Sequence, residues 1–422
     1  MSDQGARIAR FLADAERLAA AGQHADAHAV LERVLALDPD NPRALNTLAL
    51  RALNVGRDPA RARAMLERAV ARDPGAAALR LNLADACRAG GDRAAELAAL
   101  EGALALDPYL VPALIRKAQA LEATGGPAVP VWKAVLATTP PGPERPPALA
   151  AVLAHAARQV AADGEATWAR IAPALAAART AETARVDHAV EHLLGRKRIY
   201  LNAPTGLHVP KLPADEFFAE SHFPWLAGLE AAAAGIRAEG AALLAEGGGF
   251  APYVAYAPGT PVNQWAELNH SPRWGAQFLW RDGVANAALQ ARCPATVAAL
   301  AAIPRLDIPG RGPTAFFSLL APKTRIPPHT GVTNARAIVH LALVVPEGCR
   351  YRVGSEERRW VEGRAFVFDD SIEHEAVNDS DETRLVLIFD VWNPWLGAAE
   401  RDMLRALFPA LDAHRGGGTF GG

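Results

Sequence analysis

The chain has 422 residues, enough for two or three domains at roughly 150 residues each. Apolar types make up 50% of it and charged types 21%, which excludes a disordered or fibrous protein. With 44 basic and 46 acidic residues the net charge is −2, so no general electrostatic attraction to nucleic acid or to an anionic membrane is expected. Three separated cysteines argue against a disulfide framework, and the sequence predicts a cytoplasmic protein with no nucleic-acid or membrane partner.

The first half of the chain is rich in alanine and contains an internal repeat. The motif Leu-Ala-Leu-Asp-Pro ends at Pro39 and Pro108, and Val-Ala-Arg-Asp-Pro ends at Pro74, so the spacings are 35 and 34 residues. Glycines recur in phase with this motif, at Gly22, Gly56, Gly90 and Gly125. Each period predicts a helix, a glycine turn and a second helix that stops at Asp-Pro.

This pattern resembles tetratricopeptide repeats, and about three units cover residues 6–125. By that resemblance the stacked helix pairs form a concave surface that holds a peptide or a protein. The alternative is that the array only packs against the second half of the chain.

The repeat is interrupted by seven prolines between residues 127 and 147, after which two helices are expected at about 148–162 and 165–195. The predicted organisation is therefore helical repeats over 1–126, a Pro-rich joint with connecting helices over 127–200, a β-domain over 201–400, and a C-terminal helix with a Gly-rich tail over 401–422. His188, Glu191 and His192 match the H-x-x-E-H zinc motif, but nothing around them supports a protease, and we interpret them as a charged helix face.

Beyond residue 250 the pattern changes to short apolar runs separated by turn signals. These runs are rich in Val, Ile, Leu and Phe, and they lie at 314–320, 336–345, 349–353, 364–369 and 384–391. Several short strands at this spacing predict a β-sandwich or a jelly roll, including the cupin type.

Polar residues interrupt these strands where the sheet alone gives no reason for them. His340 lies within Ala-Ile-Val-His-Leu-Ala-Leu, and Arg384 opens Leu-Val-Leu-Ile-Phe. A buried imidazole needs a partner, and a buried guanidinium favours a carboxylate. His329 follows two prolines in a predicted stiff loop, and His374 lies further along the chain. If these four residues converge in one pocket, they would supply two imidazoles for a metal, a polar donor and a cation that binds a carboxylate. The alternative is hydrogen-bonded core histidines and an ion-paired arginine.

Four sequence blocks in fixed order resemble the aspartyl/asparaginyl β-hydroxylase family. The blocks are PHTGVTNAR at 328–336, VHLALVVP at 339–346, FDDSIEHE at 368–375 and FDVWNP at 389–394. The resemblance covers about 314–396 and extends more loosely back to about 200. Tetratricopeptide-like repeats ahead of the catalytic domain also occur in that family.

The resemblance implies an oxygenase that depends on Fe(II), 2-oxoglutarate and O2 and is built on a double-stranded β-helix. Most such enzymes hold iron with two histidines and a carboxylate. In this family glycine, here Gly331, stands where the carboxylate would be, which makes His329 and His374 the expected metal ligands. The family pattern argues against the nearby acids Asp369, Asp370, Glu373 and Glu375 as a third ligand.

The same resemblance implies roles for five further residues. Ser318 and Arg384 would hold the distal carboxylate of 2-oxoglutarate, and His340 would contact the other carboxylate. Arg336 resembles an arginine near the substrate, where it would bind an acidic side chain. Trp274 would line the same pocket unless it belongs to the core.

One position departs from the family pattern. Two residues before His340 the better known members carry an arginine near the cosubstrate, whereas this chain has Ile338, which puts the usual cosubstrate pose and the usual Asp/Asn substrate in question. The leading hypothesis is hydroxylation of an Asp/Asn-like side chain in a peptide or protein. The alternatives are the same chemistry on a free amino acid or small metabolite, and a repeat scaffold with a non-catalytic β-domain.

Overall fold

The computed structural model describes residues 3–139, 142, 145–247 and 249–415. It divides into two compact units, a helical unit, Met1–Arg196, and a β unit, Lys197–Gly422. The Gly-rich end of the predicted tail lies outside the described residues. None of the described helices is both long and apolar enough to cross a membrane.

The helical unit contains antiparallel helix pairs at the predicted repeat spacing. Its described helices are α1 Asp3–Ala20, α2 His24–Leu37, α3 Pro42–Asn54, α4 Pro59–Arg72, α5 Ala77–Ala89, α6 Arg93–Leu106, α7 Val111–Ala123, α8 Val129–Thr138, α9 Pro147–Ala176 and α10 Ala184–Leu193. Helices α2, α4 and α6 each end at the residue before an Asp-Pro pair. For α4 this pair is Asp73-Pro74 of the variant motif. Proline follows the capping side chains Asn41 and Asp58 at the starts of α3 and α4, where its missing N–H costs nothing.

Small side chains set the spacing between these helices. Ala44, Ala49, Ala62, Ala69 and Ala103 are fully buried where neighbouring helices pack, together with leucines of the adjacent turns. An alanine at a contact allows two helix axes to approach closely without leaving a void. The alanine-rich composition is therefore a packing requirement of this unit.

Two expectations for the joint are wrong. The segment after Pro127 forms α8, which packs against α7 as a further helix pair, because its prolines fall at the helix start. Two helices follow as expected, but the break between them is not at 162–165: α9 continues to Ala176 and α10 begins at Ala184. Gly164 does not break α9; a Cβ there would overlap the Leu194 carbonyl oxygen, so glycine permits a close helix approach.

The β unit is built from two antiparallel sheets with helices on one side, which confirms the predicted change from helices to strands. Its described strands are β1 Ala251–Pro252, β2 Trp274–Arg281, β3 Val284–Ala285, β4 Ala315–Leu320, β5 Thr324–His329, β6 Arg336–Val344, β7 Cys349–Val353, β8 Glu356–Arg358, β9 Ala365–Phe368, β10 His374–Asn378 and β11 Arg384–Trp392. Its described helices are α11 Leu226–Ala231, α12 Ala233–Ala245, α13 Ala287–Arg292, α14 Pro294–Ala301 and α15 Ala398–Arg415.

The larger sheet has the order β1-β2-β4-β11-β6-β9, with β3 paired to β2, and the smaller has the order β5-β10-β7-β8. The five strands predicted from apolar runs agree with β4, β6, β7, β9 and β11 to within one residue at each end. His329 was expected in a loop, but it is the last residue of β5 because the extended conformation favoured by Pro327 and Pro328 also suits a strand.

Strand β11 shows how the two faces of the large sheet differ. Leu385, Leu387 and Phe389 point into a core shared with helices α11, α12 and α14, whereas Val386 points toward the small sheet. Side chains alternate along a strand, so Arg384 and Asp390 share the inner face with Val386. The polar residues of the β unit thus lie between the two sheets.

Candidate active site

The two predicted metal ligands are brought together at the end of the small sheet. His329 ends β5 and His374 begins β10, the two residues are register partners, and their ring centroids are 4.1 Å apart. Nδ1 of His329 lies 2.8 Å from the Pro327 carbonyl oxygen, and Nδ1 of His374 lies 2.9 Å from that of Ile372. A carbonyl oxygen only accepts, so each Nδ1 donates and each Nε2 keeps its lone pair.

Electrostatics favour the neutral form of both rings. Burial, and then the neighbouring His374 ring, lowers the pKa of His329 to about 3. Burial also lowers the pKa of His374 to about 4. Neutral imidazoles with a free Nε2, oriented by an Nδ1 hydrogen bond, are the form in which histidine binds a metal.

The position two residues after His329 is closed to a carboxylate ligand. A Cβ at Gly331 would overlap the carboxylate of Asp370, whose Oδ2 accepts a hydrogen bond of 2.7 Å from Nη2 of Arg336. Asp370 thus occupies the space above Gly331 and is itself held by an ion pair. Across the described ranges, no three His, Cys, Asp or Glu side chains are arranged to hold a metal ion. The donor set is a histidine pair.

A second group of residues forms a buried cationic pocket. Arg384 is only 1% exposed, its Nη2 donates to Ser318 Oγ at 3.1 Å, and Trp274 Nε1 donates to the same oxygen at 3.3 Å. Nε of Arg384 is buried without a hydrogen-bond partner, and no acidic side chain in the described part of the chain forms an ion pair with this guanidinium. Burial lowers its pKa to about 10.

His340 lies beside this guanidinium among aromatic rings. Its residue is 4% exposed, its Nδ1 is buried without a partner, and burial followed by the positive charge of Arg384 lowers its pKa well below the usual range. A buried cation without an acidic partner, beside an unpaired imidazole nitrogen, is energetically unfavourable. An anion with two oxygen-bearing ends would satisfy both.

All the predicted site residues line one cavity of about 850 Å³. They are Trp274, Ser318, His329, Arg336, His340, His374 and Arg384. Ile338 also lines this cavity, so the position where the family carries a second arginine is occupied by an apolar side chain here. Trp274 fulfils both of the roles considered for it: it borders the cavity and also packs in the core between the sheets.

The sequence reasoning missed Asp390 and the aromatic wall. Asp390 is 1% exposed, its Oδ1 accepts the Thr314 N–H at 2.9 Å, its Oδ2 has no partner, and burial raises its pKa to about 7. Asp390 interrupts an apolar strand just as His340 does, so the same sequence signal could have identified it as a site residue. Tyr253 stacks on Trp274 with centroids 4.1 Å apart, but it follows strand β1, which has only two residues and gives no such signal.

The H-x-x-E-H segment lies on α10, far along the chain from these residues. The interpretation of His188, Glu191 and His192 as a charged helix face stays a prediction.

Comparison with known proteins gives a family-model match within the β unit and several similar sequences. Residues 230–394 match the family model described as "Aspartyl/Asparaginyl beta-hydroxylase". The human "Aspartyl/asparaginyl beta-hydroxylase" is 38% identical over 141 residues, which are 33% of this chain and 18% of that protein. The "Ornithine lipid ester-linked acyl 2-hydroxylase" of Rhizobium tropici is 34% identical over 191 residues, which are 44% of this chain and 64% of that protein.

A third relative, the human "Aspartate beta-hydroxylase domain-containing protein 2", is 35% identical over 147 residues, which are 34% of this chain and 40% of that protein. The match therefore covers less than two thirds of each of these relatives. Among solved structures, MamA aligns at 20% identity and TM-score 0.30, covering 32% of this chain and 74% of MamA. The tetratricopeptide protein YrrB aligns at 20% identity and TM-score 0.29, covering 31% of this chain and 68% of YrrB.

At these TM-scores the two structural alignments carry no weight for the fold. The family model matches residues 230–394, a range that includes the strands that hold the histidine pair and Arg384. Residues 230–394 of this chain are therefore similar to the aspartyl/asparaginyl beta-hydroxylase family.

Proposed function

We propose that the β unit is an Fe(II)- and 2-oxoglutarate-dependent dioxygenase, built as a double-stranded β-helix, that hydroxylates an Asp/Asn-like side chain of a peptide or protein. The supporting observation is the combination, in one cavity, of a neutral histidine pair and a buried arginine without an acidic partner. Each feature alone has a structural explanation. Together they match a metal and an anionic cosubstrate.

The histidine pair fits iron. Nε2 of His329 and Nε2 of His374 would be the protein ligands, because the Nδ1 atoms are engaged with backbone carbonyls. Two protein ligands leave more positions for water, cosubstrate and oxygen than the usual set of two histidines and a carboxylate. Asp370 cannot swing freely toward the metal without giving up its ion pair with Arg336.

The cationic pocket fits 2-oxoglutarate. Arg384 and Ser318 would hold the distal carboxylate, and His340 would face the carboxylate at the keto-acid end. When bound, iron and 2-oxoglutarate supply an oxidation in which O2 is consumed, 2-oxoglutarate becomes succinate and carbon dioxide, and one oxygen atom enters a C–H bond of the substrate. The charge on Arg384 then gains the partner that the described protein does not provide.

The rest of the cavity positions the substrate and excludes water. Trp274 fixes the Ser318 hydroxyl by donating to it, so Ser318 can direct its own hydrogen toward a carboxylate. Tyr253 and Trp274 form a stacked wall beside the histidine pair. A rigid wall holds a C–H bond in a fixed orientation, which is what selective hydroxylation requires.

The match to the family model and the helical repeats support a peptide or protein substrate. The human relative is named for aspartyl and asparaginyl residues, and Arg336 offers a charge near the histidine pair for an acidic or amide side chain. The helical repeats would hold the peptide. Removing residues 1–125 would then abolish most turnover of a peptide while circular dichroism still reports a folded β unit.

The second candidate is the same chemistry on a small molecule, a free amino acid or another metabolite. Two observations favour it: the apolar Ile338 in the cavity, and the match to a Rhizobium tropici protein named as a hydroxylase of a lipid acyl group. Turnover that survives removal of residues 1–125 would support this candidate. A third possibility, a non-catalytic β-domain, predicts no chemistry at all.

The central experiment measures succinate from 2-oxoglutarate with the purified full chain, Fe(II), ascorbate and O2, in the presence of cell extract. We expect succinate above background and, by mass spectrometry, a product heavier by one oxygen atom that appears only with 2-oxoglutarate. Absence of both, with 2-oxoglutarate binding unaffected in Arg384→Ala, would exclude the oxygenase. Absence of succinate with binding that is lost in Arg384→Ala would instead indicate that the true substrate is missing from the extract.

A further inference from the structure

The sheet alone does not fix the position of His329 relative to His374. The regular register of β5 with β10 ends at Ile326 and Ala376, and it shifts before the two histidines meet. Residues 327–328, which lead to the first histidine, are prolines without an N–H to donate to the ladder. Strand β10 also pairs with β7, whereas β5 is the last strand of the small sheet. The spacing of the two imidazoles therefore depends on contacts outside the sheet as well.

The segment 202–209, which we call the clasp, makes such contacts, and its first residues hold the loop that leads into His374. Asn202 Nδ2 donates to Asp369 Oδ2 at 2.7 Å and to Ser371 Oγ at 3.1 Å. Asp369 and Ser371 are fully buried and bonded to each other, since Asp369 Oδ1 accepts the Ser371 N–H at 2.9 Å and its hydroxyl at 2.6 Å. The N–H of the residue after Asn202 donates to the Ser371 carbonyl oxygen at 2.8 Å.

The rest of the clasp holds the loop that follows His329. The Thr205 N–H donates to the Gly331 carbonyl oxygen at 2.9 Å. Asn334 is fully buried, and its side-chain amide pairs with the backbone of Val209. Its Oδ1 accepts the Val209 N–H and its Nδ2 donates to the Val209 carbonyl oxygen, both at 2.8 Å. The same short segment is thus bonded to both loops that carry the predicted metal ligands.

Gly206 brings the clasp so close to the second of these loops that no side chain fits. Its N–H donates to the Val332 carbonyl oxygen at 2.9 Å. A Cβ at Gly206 would lie 2.8 Å from Val332 Cγ1 and 2.9 Å from the Val332 carbonyl oxygen, so the two segments would have to move apart. The two loops also contact each other directly, because the Gly331 N–H donates to the Asp370 carbonyl oxygen at 2.6 Å. The clasp and the two loops therefore form one hydrogen-bonded unit.

We propose that the clasp is part of the metal site and that Asn202 is a positioning residue, which fixes the loop before His374 against the loop after His329. The inference rests on the proposed function for the metal itself. The clasp precedes the family-model match at 230–394, so that match assigns it no role. Two imidazoles are a small protein donor set, and the groups that orient such ligands contribute strongly to metal affinity.

The test measures Co(II) binding to the full chain without cosubstrate, by calorimetric titration and by the visible absorption bands of the bound ion. Co(II) is bound by the same nitrogen ligands as Fe(II), and more tightly. We expect Asn202→Ala to weaken Co(II) binding by about 10-fold, the lower end of the loss seen when a residue that orients a metal ligand is replaced. Gly206→Ala should weaken it by a similar factor, because the added methyl group pushes the clasp away from Val332. The absorption bands should change in both variants, since they report the coordination geometry.

Two control variants separate positioning from stability. Leu201→Ala alters a 72% exposed side chain next to Asn202 and should leave the Co(II) affinity unchanged. Leu300→Ala removes a fully buried side chain of α14 from the core behind the large sheet. It should lower the melting temperature, because it leaves a cavity, without changing the Co(II) affinity of the folded protein.

Each outcome bears on the clasp in a distinct way. Wild-type affinity and wild-type absorption bands in Gly206→Ala would overturn the proposal, whether or not Asn202→Ala folds, since position 206 is exposed and its variant keeps every hydrogen-bond donor of the clasp. A loss of affinity in Leu300→Ala equal to that in the clasp variants would also overturn it, by showing that stability alone sets the affinity. A wild-type chain that binds no Co(II) would overturn the proposed function together with the clasp.

Discussion

The helical unit and the β unit differ in how many polar side chains they bury. Among the described residues of Met1–Arg196, Glu96 is the buried charged side chain, and its carboxylate accepts from Arg93 at 2.6 Å. In the β unit the buried polar residues include Gln277, Thr296, Ser318, Thr324, Thr333, Asn334, His340, Asp369, Asp370, Ser371, His374, Asn378, Arg384, Asp390 and Asn393. Several of these side chains end in atoms without a partner.

The difference separates packing from chemistry. The helical unit gains its stability from alanine and leucine contacts, and most of its ion pairs, such as Arg43 with Glu16, are exposed and individually weak. In the β unit the unpaired buried atoms lie mainly on residues that line the cavity, among them His340, Arg384 and Asp390. Arg305, Trp360 and Arg401, which do not line it, also carry unpaired buried atoms. The free-energy cost of such atoms persists in proteins where a ligand supplies the missing partners.

The largest effect should come from removing a ligand of the histidine pair. We expect His329→Ala to lower iron-dependent succinate formation by at least ~100-fold, because half of the protein donor set for the metal is lost. Succinate yield and bound iron, measured by mass spectrometry of the metal, check this. The matched control is His188→Ala in the helical unit, which should change neither quantity. An equal loss of succinate and of bound iron in both variants would contradict the assignment of the metal site to the β unit.

The next effect concerns the anion pocket. Arg384→Ala should weaken 2-oxoglutarate binding by about 10- to 100-fold, since hydrogen bonds to a charged group are worth roughly 1.5–3 kcal/mol. Calorimetric titration of the full chain measures the affinity. Arg325→Ala is the control, because that arginine is 60% exposed and paired with Glu375 outside the pocket. Unchanged affinity in Arg384→Ala would show that 2-oxoglutarate does not bind in this pocket.

A smaller effect, on the free energy of unfolding, is expected when a methyl group is introduced at Gly331. Gly331→Ala should destabilise the protein by about 1–3 kcal/mol, because its Cβ would displace the Asp370 carboxylate and strain the ion pair with Arg336. Urea denaturation followed by tryptophan fluorescence measures the free energy of unfolding. Gly228→Ala in α11 meets no atom within 4 Å and should be neutral or slightly stabilising. If both variants behave alike, the space above Gly331 is not filled as the structure indicates.

The smallest effect tests the packing of the helical unit. Ala62→Leu in α4 should cost about 1 kcal/mol, since Ala62 is fully buried and extra methyl groups force neighbouring helices apart. Ala64→Leu in the same helix, at an exposed position, should change the unfolding free energy by less than about 0.5 kcal/mol. The far-UV circular dichroism of the helices reports both. Equal tolerance at the two positions would mean that small residues are not needed for the close helix contacts.

The sequence by itself determined the elements that rest on local patterns. The Asp-Pro stops and the repeat spacing located the helix ends of α2, α4 and α6, and the apolar runs located five strands to within a residue, because capping and alternation are properties of neighbouring positions. The site residues came from ordered motifs. Those motifs identified which side chains to consider without showing where they lie.

Only the tertiary structure decided the pairings between distant segments. The contact of His329 with His374, the carboxylate of Asp370 above Gly331, and the unpaired oxygen of Asp390 join strands that lie tens of residues apart in the chain. Short strands such as β1 carry too little pattern to be found, yet β1 is followed directly by Tyr253 on the cavity wall. Register and burial, which no single segment encodes, turn a set of polar residues into a cavity with a defined need for ligand atoms.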